Sequence, residues 1–242
     1  MVAPPDNDVL FARTLRHSHR GSPALLGVSV AVREGEILGV VGPRGSGKTT
    51  LLRCLSGQLV PDQGEVWFNG APVNTLGAAA RDQLRRERFG WVGSEPHLLP
   101  ELTAWENAAL PLLMRGVRSR AARAKAQEWL ERLDIGAAAR KRPGALLQSE
   151  CQRVAVARAL VAVPAVVFAD DPAAPLHHAD RAQVLRTLTS AARSHGVTVV
   201  LAGTDPGTAA YTDRTLTLRD GRCDQAVAPQ DRETPDPAPA NA

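Results

Sequence analysis

Ile37-Leu38-Gly39-Val40-Val41-Gly42-Pro43-Arg44-Gly45-Ser46-Gly47-Lys48-Thr49-Thr50-Leu51-Leu52 is the stretch that decides how this chain is read. Its first residues make a continuous apolar run of the kind a buried strand needs. A glycine-rich loop follows, and the Leu-rich segment after it reads as the start of a helix. The loop fits the spacing G-x-x-x-x-G-K-[ST], with Gly42, Gly47, Lys48 and Thr49 in the fixed positions. Glycines let the backbone wrap closely around a phosphate, so that successive N–H groups point at anionic oxygens. The helix start behind them adds partial positive charge. Gly42, Pro43, Arg44, Gly45, Ser46, Gly47, Lys48, Thr49 and Thr50 are therefore the candidate nucleotide-binding residues. Lys48 is suited to the β- and γ-phosphates and the Thr49 hydroxyl to Mg²⁺. The chain has only three lysines, Lys48, Lys125 and Lys141, and fills nearly every other basic position with Arg. Lys at position 48 is thus a specific choice.

The totals narrow the class. A chain of 242 residues suits one large domain, or one domain with an inserted lobe. Its 44% hydrophobic and 22% charged residues are ordinary for a globular protein with a core. Aromatics are only 4%, which disfavours a base-stacking platform, and the formal charge of +4 comes from scattered arginines. No nucleic-acid partner is expected. Cys54, Cys151 and Cys223 are odd in number and far apart, so neither a disulfide framework nor a zinc knuckle is indicated. The N-terminus lacks the layout of a signal peptide, and no apolar run approaches the ~20 residues that span a bilayer. A cytoplasmic protein is expected, with any membrane role coming through a partner.

Taken in order, residues 1–8 read as a loose leader. Val9–Thr14 and Val28–Val32 read as short strands separated by a polar bend. Glu65–Phe68 is a strand running into Asn69-Gly70, a strong hairpin signal. Residues 78–88 read as a helix with a charged face, and Phe89–Val92 as a strand. From Glu95 the pattern turns helical, with Thr103 as a cap and Ala122, Ala126, Trp129, Leu130 and Leu133 sharing one face. Cys151–Val161 resumes a helix after Pro143-Gly144. Strand character returns at Ala165–Ala169, Thr198–Ala202 and Thr215–Leu218. The Pro/Ala-rich residues 226–242 read as a disordered tail. The strand ending at Ala169 delivers Asp170 from its C-terminal end, where ligands bind in open α/β sheets. In phosphate-loop proteins such an Asp holds Mg²⁺.

With both elements in hand, the chain resembles the nucleotide-binding subunits of ABC transporters over residues 9–223. The fit is best to the branch serving lipoprotein release, macrolide-type export and cell-division permeases. The segments that carry the resemblance are 42–52, 57–66, 98–107 and 152–160, with Asp213-Arg214 and Asp220-Gly221. It implies an α/β, RecA-like P-loop NTPase core with an N-terminal antiparallel β region and a helical lobe inserted at about 95–160. The nucleotide-binding domain is expected to span residues 1–225. ATP and Mg²⁺ are the implied cofactors, held by Lys48, Thr49 and Asp170. The implied partners are an integral membrane permease, which would hold the protein on the inner face of the membrane, and a second ATP-binding subunit.

Several positions depart from the family's pattern. The signature Leu-Ser-Gly-Gly-Gln reads Leu146-Leu147-Gln148-Ser149-Glu150, which removes a hydroxyl and two glycines and adds a carboxylate. Ser149 and Gln152 instead fit an S-x-x-Q capping box for the next helix. The Glu that polarises the attacking water is Asp171, shorter by one C–C bond of about 1.5 Å. The switch histidine is Thr204, which can hydrogen-bond but offers no imidazole. The loop glutamine is Ser94, with Glu95 as an alternative metal ligand, and the family's Asp in the Pro-containing loop after Asp171 is His177. The adenine-stacking aromatic is replaced by His17 or His19. These departures suggest a degenerate or regulatory half with weak hydrolysis, paired with a different ATP-binding subunit rather than itself. The alternatives are an active homodimeric transporter ATPase and an ATP-responsive interaction protein without a permease.

Overall fold

The computed structural model describes residues 8–224. The expected tail at 226–242 and most of the expected leader lie outside the described residues, while Asp8 already belongs to the first strand.

Two twelve-residue strands, β1 (Asp8–His19) and β2 (Ser22–Arg33), form an antiparallel hairpin. They meet at Arg20-Gly21, whose φ values of 49° and 85° make the doubly left-handed turn that suits twisted strands. The expectation of two short runs separated by a bend is thereby corrected. The polar residues continue the strands because Leu15 and Leu25 among them are buried. Asp62 also holds the far end, its Oδ2 accepting from Ser18 N–H at 2.8 Å and its own N–H donating to Arg16 O at 2.8 Å. An irregularity at Thr14 (φ 47°) is absorbed by its N–H donating to Ser29 Oγ. After β3 (Ile37–Val41) and α1 (Lys48–Leu55), β4 (Gln63–Phe68) pairs with β1, and β5 (Ala71–Pro72) closes the Asn69-Gly70 hairpin. This sheet runs β2-β1-β4-β5.

The remaining helices and strands build the second sheet and its covering. They are α2 (Ala78–Arg88), β6 (Phe89–Val92), α3 (Ala104–Met114), α4 (Ser119–Arg132), α5 (Gln148–Leu160), β7 (Val166–Asp170), α6 (His178–Ser194), β8 (Thr198–Gly203), β9 (Arg214–Arg219) and β10 (Arg222–Asp224). The order is β10-β9-β3-β8-β7-β6, parallel except for the β10 edge. Side chains alternate across it as strand geometry requires. Val167, Ala169, Val199 and Leu201 join a cluster with α3, α4, α5 and α6. Val166, Phe168, Val200 and Ala202 join the opposite cluster with α1 and the first sheet. Both faces of the parallel sheet are therefore covered, which explains why its strands read as unbroken apolar runs.

Two helix starts differ in how well sequence anticipates them. Thr103 caps α3 as expected, and the Glu106 carboxylate completes the box by accepting the Thr103 N–H at 2.8 Å. The S-x-x-Q box is corrected. α5 begins earlier, at Gln148 with Leu147 as its N-cap, and Glu150 Oε2 accepts the Leu147 N–H at 2.8 Å. A carboxylate at the third helical position can reach back to that N–H whatever side chain the cap carries, and the helix dipole favours it there. Ser149 and Gln152 are buried instead.

Candidate nucleotide site

The phosphate loop is shaped by contacts that leave no room for side chains at two glycines. A Cβ on Gly42 would meet Leu218 O at 2.0 Å, and one on Gly47 (φ 104°) would meet Ala24 O at 2.3 Å. Gly221 N–H donates to Ser46 O at 3.1 Å, tying the loop to the turn before β10. Pro43, Arg44 and Gly45 form the exposed crest of the loop. Ser46 Oγ is buried below it, without a hydrogen-bond partner among the described residues. The loop is thus a cradle closed to side chains and open to an anion.

Lys48 begins α1 and donates from Nζ to Gly42 O and Pro43 O, both at 2.8 Å. Burial lowers its pKa, against the raising influence of Asp171 and Asp170. Thr49 Oγ1 donates to Asp170 Oδ1 at 3.0 Å, across 121 residues of sequence. Burial pushes the Asp170 carboxyl above its ordinary value, while the Thr49 hydrogen bond and the Arg53 charge oppose this. A hydroxyl and a carboxylate converging below a phosphate cradle are hard oxygen donors of the kind Mg²⁺ takes.

Beside them sits a second couple. Thr204, the first residue past β8, donates from Oγ1 to Asp171 Oδ2 at 3.3 Å. Asp171 follows β7 at φ 49°, a left-handed conformation that Asp tolerates better than most residues. Its N–H is fixed on Ala202 O at 3.0 Å. β7 and β8 are neighbours in the sheet, so their ends necessarily bring the two positions together.

A cleft of about 300 Å³ runs from Lys48 and Thr49 to the first hairpin, where His19 and Ser22 line it. His19 Nε2 lies 3.0 Å from Thr50 Oγ1. His17 points elsewhere, with Nδ1 3.4 Å from Asp62 Oδ1, so of the two histidines His19 borders the cleft. Ser94 and Glu95 stand exposed after β6, and among the described residues no hydrogen bond joins either to Thr49 or Asp170. His177 is the N-cap of α6 and makes no side-chain cap bond. Leu147 is 69% exposed at the start of α5. One contact had no sequence signal: Gln152 Nε2 donates to Gly93 O at 2.7 Å, joining α5 to the loop that carries Ser94.

A glycine cradle between a parallel strand and a helix, with an Asp at the end of a nearby strand, defines a P-loop NTPase. The family model described as ABC transporter matches residues 25–174. The chain is similar to the lipoprotein-releasing system ATP-binding protein LolD of Paramagnetospirillum magneticum, at 41% identity over 81% of this chain and 87% of that protein. LolD of Chromohalobacter salexigens is 38% identical over 88% and 90%. Among solved structures, the ATP-binding cassette MJ0796, in a dimeric post-hydrolysis state bound to ADP and Pi, superimposes with a TM-score of 0.84 at 28% identity. That match covers 91% of this chain and 99% of the cassette. The fold is also that of cbiO1 from Clostridium perfringens, with a TM-score of 0.83 at 24% identity over 92% and 89% of the two chains. The chain belongs to the ABC transporter family, as an ATP-binding component. Among the described residues no helix is long and apolar enough to cross a membrane.

Proposed function

We propose that this chain is the ATP-binding subunit of a transporter of the lipoprotein-releasing type, and that it binds Mg·ATP firmly but turns it over slowly. It works on the cytoplasmic face through an integral membrane permease. Lys48 and the loop from Gly42 to Thr50 hold the phosphates, and Thr49 and Asp170 hold Mg²⁺, which neutralises phosphate charge when bound. His19 borders the place for the base, and Ser94 serves the metal only if its loop swings inward.

The observation that carries slow turnover is the contact between Thr204 and Asp171. The hydroxyl occupies one of the two carboxylate oxygens, and the carboxylate is itself shorter than Glu. A misplacement near 1 Å costs ~10²-fold in rate. Steady-state ATPase measurements beside ATP-binding calorimetry test the reading. Saturable Mg-dependent binding with turnover far below the ~10 s⁻¹ of a median enzyme is expected. Turnover at that level would favour the second reading, an active homodimeric ATPase, which the likeness to dimeric MJ0796 supports.

A further inference from the structure

We propose that Arg181 is a positioning residue that sets Thr204 against Asp171 by gripping Asp205. This rests on the assignment of Asp171 and Thr204 to slow hydrolysis. Asp171 and Thr204 are each the first residue past a strand end, so the segments that follow them decide their separation. After Asp171 the chain passes through a short loop into α6, which carries Arg181. After Thr204 comes Asp205, which caps a 3-10 turn at Pro206–Tyr211 by accepting the Gly207 N–H on Oδ1 at 2.8 Å. Its other oxygen accepts from Arg181 Nη1 at 3.0 Å. One carboxylate therefore joins both segments. The 3-10 turn also presses on the strand end, since a Cβ on Gly203 would meet Thr208 Oγ1 at 2.3 Å.

Stability does not explain the pair. The Arg181 and Asp205 side chains are 33% and 44% exposed, a setting in which an ion pair adds little to folding. Arg181 Nε is buried with no partner among the described residues, a feature that folding alone disfavours. Asp205 is held below the ordinary carboxylate range by the Gly207 N–H and then by Arg181, so it stays an acceptor for both. What the pair fixes is position.

The test is a double-mutant cycle read by single-turnover hydrolysis of γ-labelled ATP and by ATP affinity. It is run in the wild-type chain and in one carrying Asp171→Glu with Thr204→His. Arg181→Gln removes the grip, and Asp205→Asn weakens it while keeping an acceptor for Gly207. In the wild-type chain each is expected to raise hydrolysis several-fold by releasing Asp171 from Thr204. In the Asp171→Glu, Thr204→His chain each is expected to slow it on the order of tenfold by displacing the restored couple, with ATP affinity within about twofold in both. In each background the double variant is expected to match either single one, and Arg181→Lys to return most of the way to that background's unmodified rate. Unchanged rates, additive effects, slower hydrolysis in the wild-type chain, or a parallel loss of affinity would overturn the proposal. Absence of turnover in both backgrounds would overturn it too. Affinity lost only in Lys48→Ala would still uphold the binding reading in that case.

Discussion

Thr204 Oγ1 donates to Asp171 Oδ2 at 3.3 Å, uniting two residues 33 apart at the ends of adjacent parallel strands. On the reading proposed above, these are the positions for which the family resemblance implies water activation and γ-phosphate contact. Their substitutions therefore meet in one hydrogen bond. The hydroxyl engages one of the two oxygens of the carboxylate.

Restoring both positions is expected to raise turnover by more than the product of the two single gains, because groups acting as a unit are non-additive. Asp171→Glu alone places a longer side chain at φ 49°, where left-handed backbone costs roughly 1–2 kcal/mol for ordinary residues. A modest fall in thermal midpoint should accompany that variant. Initial ATPase rates of the two single variants and the double variant check this, and strictly multiplicative gains would remove the coupling.

Lys48→Ala is expected to abolish saturable ATP binding while preserving the fold. Nζ spends its hydrogen bonds on Gly42 O and Pro43 O, so its loss removes a local brace of the loop. Calorimetry with Mg·ATP, beside circular dichroism, separates the two effects. Retained affinity in a folded variant would remove Lys48 from the site.

The Thr103–Glu106 box makes a pH-dependent contribution to stability. Glu106 is held below the ordinary carboxylate value, first by the Thr103 hydroxyl and then by the Thr103 N–H. A carboxyl depressed on folding adds stability above its unfolded value, and that stability is lost as pH falls through the folded value. Glu106→Gln should therefore melt below wild type at neutral pH, with the difference closing in acid. Thr103→Ala should cost about 1 kcal/mol by chemical denaturation at neutral pH. A midpoint difference that persists at low pH would contradict the electrostatic origin.

Much of this arrangement is written locally. The phosphate loop, the Asn69-Gly70 hairpin, the Thr103 cap and the apolar face of α4 each declare themselves within a dozen residues. The hairpin of β1 and β2 does not, because its outer half is held by Leu15, Leu25 and the distant Asp62. α6 carries its apolar residues at Val184, Leu185, Leu188 and Ala192 but starts at His178 behind His177, which makes no side-chain cap bond, so its beginning is silent. Arg181 with Asp205, Gln152 with Gly93, and the choice of His19 over His17 at the cleft all depend on contacts between separate elements. Spacing along the chain cannot supply those.

The last expectation concerns pairing. Leu147, 69% exposed, stands where the family resemblance puts a hydroxyl facing the partner's ATP, and Glu150 follows within the first turn of α5. Glu150 is committed to the Leu147 N–H, so the start of the helix is already capped by this chain's own carboxylate. An incoming γ-phosphate would meet an apolar side chain and a negative charge in place of a donor. Losing charge-assisted hydrogen bonds of roughly 1.5–3 kcal/mol at each of two sites disfavours ATP-driven closure of a homodimer. Pairing with a different subunit avoids half of that loss, since an intact signature could cap the ATP on Lys48. Such a pair would hold one nucleotide more tightly closed than the other. The pure protein is therefore expected to sediment as a monomer with and without Mg·ATP, and to pair stably only with a second ATP-binding chain or a permease. Restoring the signature by Leu147→Ser, Gln148→Gly, Ser149→Gly and Glu150→Gln should then permit ATP-dependent self-association. A clear ATP-dependent dimer of the unmodified chain would count against unequal pairing and favour the active homodimer.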